Sequence, residues 1–433
     1  QELHLPTIEI PVTIQRTYSI SPPSTTFPSH DHYLSNLDDM IGVRVFTPTV
    51  YFYRSTPGDD SVFRVLRESL VRVLVPYYPF TGRIRETPDG KKLQLFFDSE
   101  EGGALFVEAR SDAALSDLGD LSVPNPAWKR LVYSFSGEEQ YEVVNMPLII
   151  AQVTRFRCGG FSLGLRLCHC LCDGIGAMQF VAAWAETAKS DSLTVDPIPC
   201  WNREVFRPRQ PPRIEFDHSE FKRIEEGSSL TKRLWEGKVL QKCYKLCREH
   251  QNRLKSVAGF SGCTTFDATA AHVWRSWVRA MEIEPRDSKL RLTFSVNARE
   301  KLKSSPLPRG FYGNVLCVAC AMSTAEGLVD GGLPEAARIV NEARVKVSEE
   351  YVRSTIDYID VYRPKNLEFG GKLSITQWTR FPIYESGDFG WGRPIYAGPM
   401  DLTPTPQVCV FLPGGNDAML LCICLPEYAS QRF

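Results

Sequence analysis

Residues 161–174, FSLGLRLCHCLCDG, constrain the chain more than any other stretch. Phe161, Leu163, Leu165, Leu167 and His169 fall on one face of an extended segment, while Ser162, Arg166, Cys168 and Cys170 fall on the other. An apolar row this dense belongs to a strand buried in a sheet, and its last member is an imidazole pointing where the leucines point. A buried imidazole must find hydrogen-bond partners, so its presence there needs a reason. Asp173-Gly174 then turns the chain, and Ile175, Met178, Val181 and Trp184 recur at helical spacing behind Asp173 as an ordinary N-cap. The preceding apolar segment, 149–156, is joined through Gly159-Gly160 and completes a hairpin.

The rest of the chain alternates in the same manner. Ile8-Glu9-Ile10 and Val12-Thr13-Ile14 alternate as a strand does, and 43–46 and 50–53 read as strands broken by Pro48. Val62, Phe63, Leu66, Leu70, Val73 and Leu74 recur as a helix between Asp59-Asp60, a good N-cap region, and Pro76. A strand at 93–97 follows a Pro88-Asp89-Gly90 turn. Prolines at 197, 199, 208, 211 and 212 mark an irregular linker, and 222–226, 230–235 and 243–252 have mixed helical character. Further on come a helix at 266–280, strands at 290–296 and 315–321, and a long helix from Pro334 to about Tyr351. Strands return at 373–378, 408–412 and 419–425. The pattern is that of a mixed α/β fold in two sheet-containing lobes, with 1–195 as the N-terminal lobe, 196–217 as the linker and 218–433 as the C-terminal lobe. At 433 residues the chain is too long for one ordinary core and suits two of about 200 residues each.

Bulk properties remove several function classes. A net charge of −1 gives no global field for nucleic acid or an anionic membrane. No apolar run approaches the ~20 residues of a membrane span. Thirteen Cys scatter without a metal or redox spacing and read as reduced thiols of a cytoplasmic protein.

Three chemical leads close on the same pattern. Gly160-Phe161-Ser162-Leu163-Gly164 has the letters G-x-S-x-G, but Ser162 starts a strand instead of sitting between a strand and a helix. Cys168 and Cys170 alternate away from His169, so these residues do not converge on a metal ion. Asp388-Phe389-Gly390 shares letters with a kinase motif but lacks an H-R-D loop and a glycine-rich phosphate loop. What remains is His169. A lone His on an apolar face is more often a satisfied core residue than a base. Yet a positioned imidazole can deprotonate an alcohol or amine attacking an activated carbonyl, and a thioester needs no covalent intermediate.

Together, H-x-x-x-D-G at 169–174 and D-F-G-W-G at 388–392 resemble the signatures of the BAHD family of plant acyl-CoA-dependent acyltransferases. Tyr33-Leu34-Ser35-Asn36-Leu37-Asp38, Pro76-Tyr77-Tyr78-Pro79-Phe80-Thr81-Gly82-Arg83, Ala271-His272-Val273-Trp274-Arg275 and Phe311-Tyr312-Gly313-Asn314 look like the same family, in the same order. The nearest likeness is to hydroxycinnamoyltransferases of the shikimate/quinate and ω-hydroxy fatty acid types.

The resemblance implies a chloramphenicol acetyltransferase-like fold: two similar mixed-sheet lobes with an active-site channel between them. It implies acyl-CoA as co-substrate, no permanently bound cofactor, no metal, a small-molecule alcohol acceptor and a monomer in plant specialised, phenylpropanoid metabolism. His169 would be the general base. Asp173 would point away from the site and pair with an arginine, here Arg299, holding the turn's shape. Thr49, Tyr51, Thr376 and Trp378 match residues that approach substrate. Asp388, Gly390, Trp391 and Gly392 suit a tight structural loop. By charge alone, Arg299, Lys301, Lys303 and Arg309 form the best local cluster for the phosphates of CoA. An acidic acceptor would need a further cation, for which Arg363 is the candidate. The alternatives are the same chemistry with an aliphatic donor or an amine acceptor, and a catalytically silent acyl-CoA or small-ligand binding protein.

Overall fold

The computed structural model describes residues 1–22, 32–54, 61–97, 102–135, 143–190, 195–222, 233–234, 237–365, 371–404 and 407–433. Asp59-Asp60 and most of the mixed helical stretches at 222–226 and 230–235 lie outside them.

Two open sheets organise the chain. The first has the order Tyr396–Gly398, Phe46–Tyr53, Phe161–Cys168, Ile149–Phe156, Ala104–Ser111, Thr13–Ile20, antiparallel except where Ala104–Ser111 meets Ile149–Phe156. The helices Ser61–Val73 and Gly174–Lys189 cover one face, joining Leu66, Leu70, Phe180 and Trp184 to Leu163 and Leu165 in a single core. Val50 and Phe52 point through the sheet the other way, onto Trp128 and Phe156.

The second sheet runs Glu2–Leu3, Val239–Leu246, Met419–Pro426, Val408–Pro413, Lys372–Gln377, Lys289–Asn297, Leu316–Thr324. The helices Thr265–Met281, Gly332–Lys346 and Glu349–Tyr362 lie on one face, where Trp274, Val340 and Val352 pack on Leu292, Ile375 and Ile423. On the opposite face Val410, Leu412, Leu420 and Cys422 meet Val123 of the first lobe. Met419–Pro426 is therefore covered on both sides, which is why MLLCICLP reads as an unbroken apolar run.

Several sequence expectations change. Each sheet takes an edge strand from the other end of the chain: Tyr396–Gly398 pairs with Phe46–Tyr53, and Glu2–Leu3 pairs with Val239–Leu246. Cuts at 195 and 217 thus separate neither sheet cleanly. Residues 196–217 are no loose linker. Arg203–Phe206 forms a 3-10 turn, Cys200 bridges to Phe311, and Arg203 is wholly buried. Pro48 does not break its strand, which runs Phe46–Tyr53. Tyr396–Gly398 covers only Val50–Phe52, so Pro48 lies on open edge where no ladder donor is missed.

The helix expected from Pro334 to Tyr351 is two, Gly332–Lys346 and Glu349–Tyr362, because the Ser348 side chain accepts from the Tyr351 N–H and starts a new one. Ile8-Glu9-Ile10 is not a strand; pairing begins at Thr13 and Ile10 is a core residue instead. Residues 243–246 belong to the strand Val239–Leu246, and the helix is Arg248–Ala258. A C-x-x-C spacing does occur, contrary to the reading of scattered cysteines: Cys317-Val318-Ala319-Cys320. It sits on the strand Leu316–Thr324, whose alternation sends the two thiols to opposite faces.

Candidate active site

His169 follows directly on its strand, Phe161–Cys168. Its N–H donates to the Val45 carbonyl at 2.9 Å, and its carbonyl accepts from Asn314 Nδ2 at 2.8 Å. The ring is held differently. Nδ1 is buried with no hydrogen-bond partner among the described residues, while the residue as a whole keeps partial exposure. A buried ring nitrogen left without a partner is not what a satisfied core histidine shows.

Asp173 does other work. Its carboxylate accepts from Arg299 Nη1 at 2.7 Å and Nη2 at 2.9 Å, from the Val315 N–H at 3.0 Å and from the Gly176 N–H at 3.0 Å. With four donors drawn from elsewhere, it does not orient the imidazole. Instead it caps the helix Gly174–Lys189 and ties the turn to the second lobe. The close fit leaves no space at the following glycine, where a Cβ on Gly176 would lie 1.9 Å from the Tyr312 carbonyl oxygen. Gly176→Ala should therefore destabilise the protein by about 1–3 kcal/mol, read as a lower denaturant midpoint at unchanged slope.

The first sheet brings Thr49 and Tyr51 to the face of His169, since Thr47, Thr49 and Tyr51 pair with Leu167, Leu165 and Leu163. Thr49 is 6% exposed. Tyr51 is sealed in the core at 0%, and that burial pushes its phenol well above the ordinary range, so the structure does not open it to a ligand. From the second lobe, Leu373 and Ile375 face the helix side of their sheet, which turns Thr376 toward the face where the lobes meet. Trp378 packs against the cores of both lobes. Phe381, which sequence reasoning did not single out, lies against the turn that follows His169: a Cβ on Gly174 would come within 2.3 Å of its ring. Its signal was faint, one aromatic among Trp378, Phe381 and Tyr384 with no period to set it apart.

The basic cluster divides. Arg299 is committed to Asp173 and the Gly313 carbonyl, so it is not available to phosphate. Arg309 is exposed and pairs with Asp196 at 2.8 Å, and Lys301 and Lys303 are exposed. The D-F-G-W-G loop packs on the first lobe. Asp388 Oδ1 accepts from the N–H groups of Gly390 and Gly392, whose φ angles of +103° and +86° suit glycine. Phe389 meets Trp184, and Trp391 meets Phe161, both edge to face.

A family model described as the Transferase family matches residues 10–433. The chain is 36% identical over 414 residues to the omega-hydroxypalmitate O-feruloyl transferase of Arabidopsis thaliana, covering 93% of this chain and 87% of that one. It is 34% identical to the fatty alcohol:caffeoyl-CoA acyltransferase of Arabidopsis thaliana, covering 96% and 95%. It is similar in fold to vinorine synthase, with a TM-score of 0.76 at 22% identity over 98% and 97% of the two chains. A coenzyme A complex of F. sporotrichioides TRI101 shares the fold at a TM-score of 0.76 and 16% identity, over 93% and 97%. The chain therefore belongs to the Transferase family, the BAHD acyltransferases, and is an enzyme that transfers acyl groups from CoA to hydroxyl acceptors.

Proposed function

We propose that the chain moves a hydroxycinnamoyl group from CoA to the hydroxyl of a long-chain alcohol, with His169 as general base. The observation that supports the reading is His169 at the end of a buried strand, with an Nδ1 that has no hydrogen-bond partner among the described residues. His169 takes the acceptor proton as the oxygen attacks the thioester carbonyl, a tetrahedral oxyanion forms, and the imidazolium returns the proton as the thiolate of CoA leaves. Lys301 and Lys303 are the exposed cations nearest in sequence to the catalytic brace at Arg299 and would meet the phosphates of CoA. Thr49, Thr376 and Trp378 would line the substrate pocket.

The donor and acceptor follow the relatives named for feruloyl and caffeoyl transfer. Arg363 supports an acceptor without an acidic group beside its hydroxyl: the guanidinium is already tied to Asp360 at 2.6 Å and to Asn36 at 3.3 Å. Thirteen free thiols fit a reducing cytoplasm, where the chain would act as a monomer.

A panel of feruloyl-, caffeoyl-, tigloyl- and acetyl-CoA against hexadecanol, ω-hydroxypalmitate, shikimate and quinate tests the assignment. Hydroxycinnamoyl donors with long-chain acceptors should give the highest kcat/KM. A higher value for acetyl-CoA, or for shikimate, would overturn it.

A further inference from the structure

We infer that Asn314, held by a buried Asp38–Arg203 ion pair, is a positioning residue for the base, acting on the backbone of His169; the inference rests on His169 being that base. The reasoning begins with the ring. In most base-containing sites a second group bonds the inner ring nitrogen and fixes the imidazole's direction. Among the described residues Nδ1 has no such partner, and Asp173 is engaged elsewhere. The ring can then be aimed only through its own backbone and the packing around it.

That backbone is pinned from two sides. Val45 accepts the His169 N–H, and Asn314 Nδ2 donates to the His169 carbonyl at 2.8 Å. The same Nδ2 donates to Asp38 Oδ1 at 2.9 Å, and the Asn314 N–H donates to that oxygen at 3.1 Å. One amide thus spans a fixed carboxylate and the peptide that carries the base.

Asp38 is immobilised in turn. Its Oδ2 accepts from Ser35 Oγ at 2.7 Å and lies 3.1 Å from Arg203 Nε, as an ion pair out of line for a hydrogen bond. Both side chains of the pair are 0% exposed. Arg203 Nη2 also donates to the Leu171 carbonyl at 2.6 Å, so the brace holds the turn at residues 169 and 171 alike. The guanidinium lies over Trp201, Phe311 and Tyr312 at 4.1, 5.0 and 4.9 Å. Gly313 makes room for it, since a Cβ there would fall 2.3 Å from Nη1.

A buried ion pair is weak grounds for stability, because desolvation offsets most of the attraction. Its value is geometric: an amide whose partner cannot move sets the height and tilt of the His169 peptide. A displacement of about 1 Å at a reacting group can lower a rate about 100-fold without touching substrate.

Asn314→Ala and the equal-sized Asn314→Asp, which withdraws both donated hydrogens, are compared with wild type and with His169→Ala. Each Asn314 variant should lower kcat by about 10- to 100-fold, with the KM of acyl-CoA and of acceptor within about 2-fold and the melting curve still cooperative. Wild-type kcat in either variant, a KM increase at unchanged kcat, or failure of both variants to fold would overturn the positioning role. If His169→Ala is inactive while an Asn314 variant keeps full kcat, the positioning role alone fails. If His169→Ala turns over like wild type, the base assignment fails and takes the positioning role with it.

Discussion

His169→Ala is expected to lower kcat by about 10²–10⁴-fold while leaving the fold in place. The size follows from the role, since without a positioned base the acceptor must attack as a neutral hydroxyl. The preserved fold follows from the contacts. The two hydrogen bonds that anchor residue 169 belong to its peptide, not its ring, and Ala keeps both. Nδ1 has no partner to strand, and the residue is only partly buried. Denaturant melts should therefore place the variant within about 1 kcal/mol of wild type, as surface-like changes usually are. CoA affinity, measured by calorimetry, should persist. Wild-type turnover would remove the base from the account.

Asp173→Ala should behave in the opposite way and destabilise the protein by about 3–5 kcal/mol. The carboxylate is wholly buried, and removing it strands a guanidinium that is 17% exposed, uncaps the helix Gly174–Lys189 and frees the Val315 N–H. Arg299→Ala should destabilise comparably, because it leaves that carboxylate buried without its cation. In a double-mutant cycle the two losses should fall well short of additive, since either change breaks the same pair. Turnover per folded molecule should fall less in Asp173→Ala than in His169→Ala. The reverse order, a stable Asp173 variant as inactive as His169→Ala, would place Asp173 in the chemistry.

The contrast between these residues also shows what the sequence could carry. The two-residue period through Phe161, Leu163, Leu165 and Leu167 announced the strand, because a side chain's face is a local property of an extended chain. Asp173 as N-cap was local too. Its pairing with Arg299, 126 residues away, was reached only through the family resemblance, since nothing in the spacing of the two residues encodes it. Edge strands as short as Glu2–Leu3 and Tyr396–Gly398 carry no period to read, so the exchange between lobes was invisible. Arg203 was hidden for another reason: a wholly buried arginine in a proline-rich stretch contradicts the usual exposure of both, and only its aromatic surround and Asp38 account for it. The long helix failed where a single Ser348 cap outweighed a continuous helical pattern.

Direct transfer, with no acyl group ever attached to the protein, is the claim from which the rest follows. It is tested by mixing the enzyme with feruloyl-CoA, with and without hexadecanol, and following both the release of free CoA and the intact mass of the protein. The account predicts CoA release only when the alcohol is present, one ester per CoA, and an unchanged protein mass throughout. A burst of CoA in the absence of alcohol, matched by a protein heavier by one feruloyl group, would contradict it.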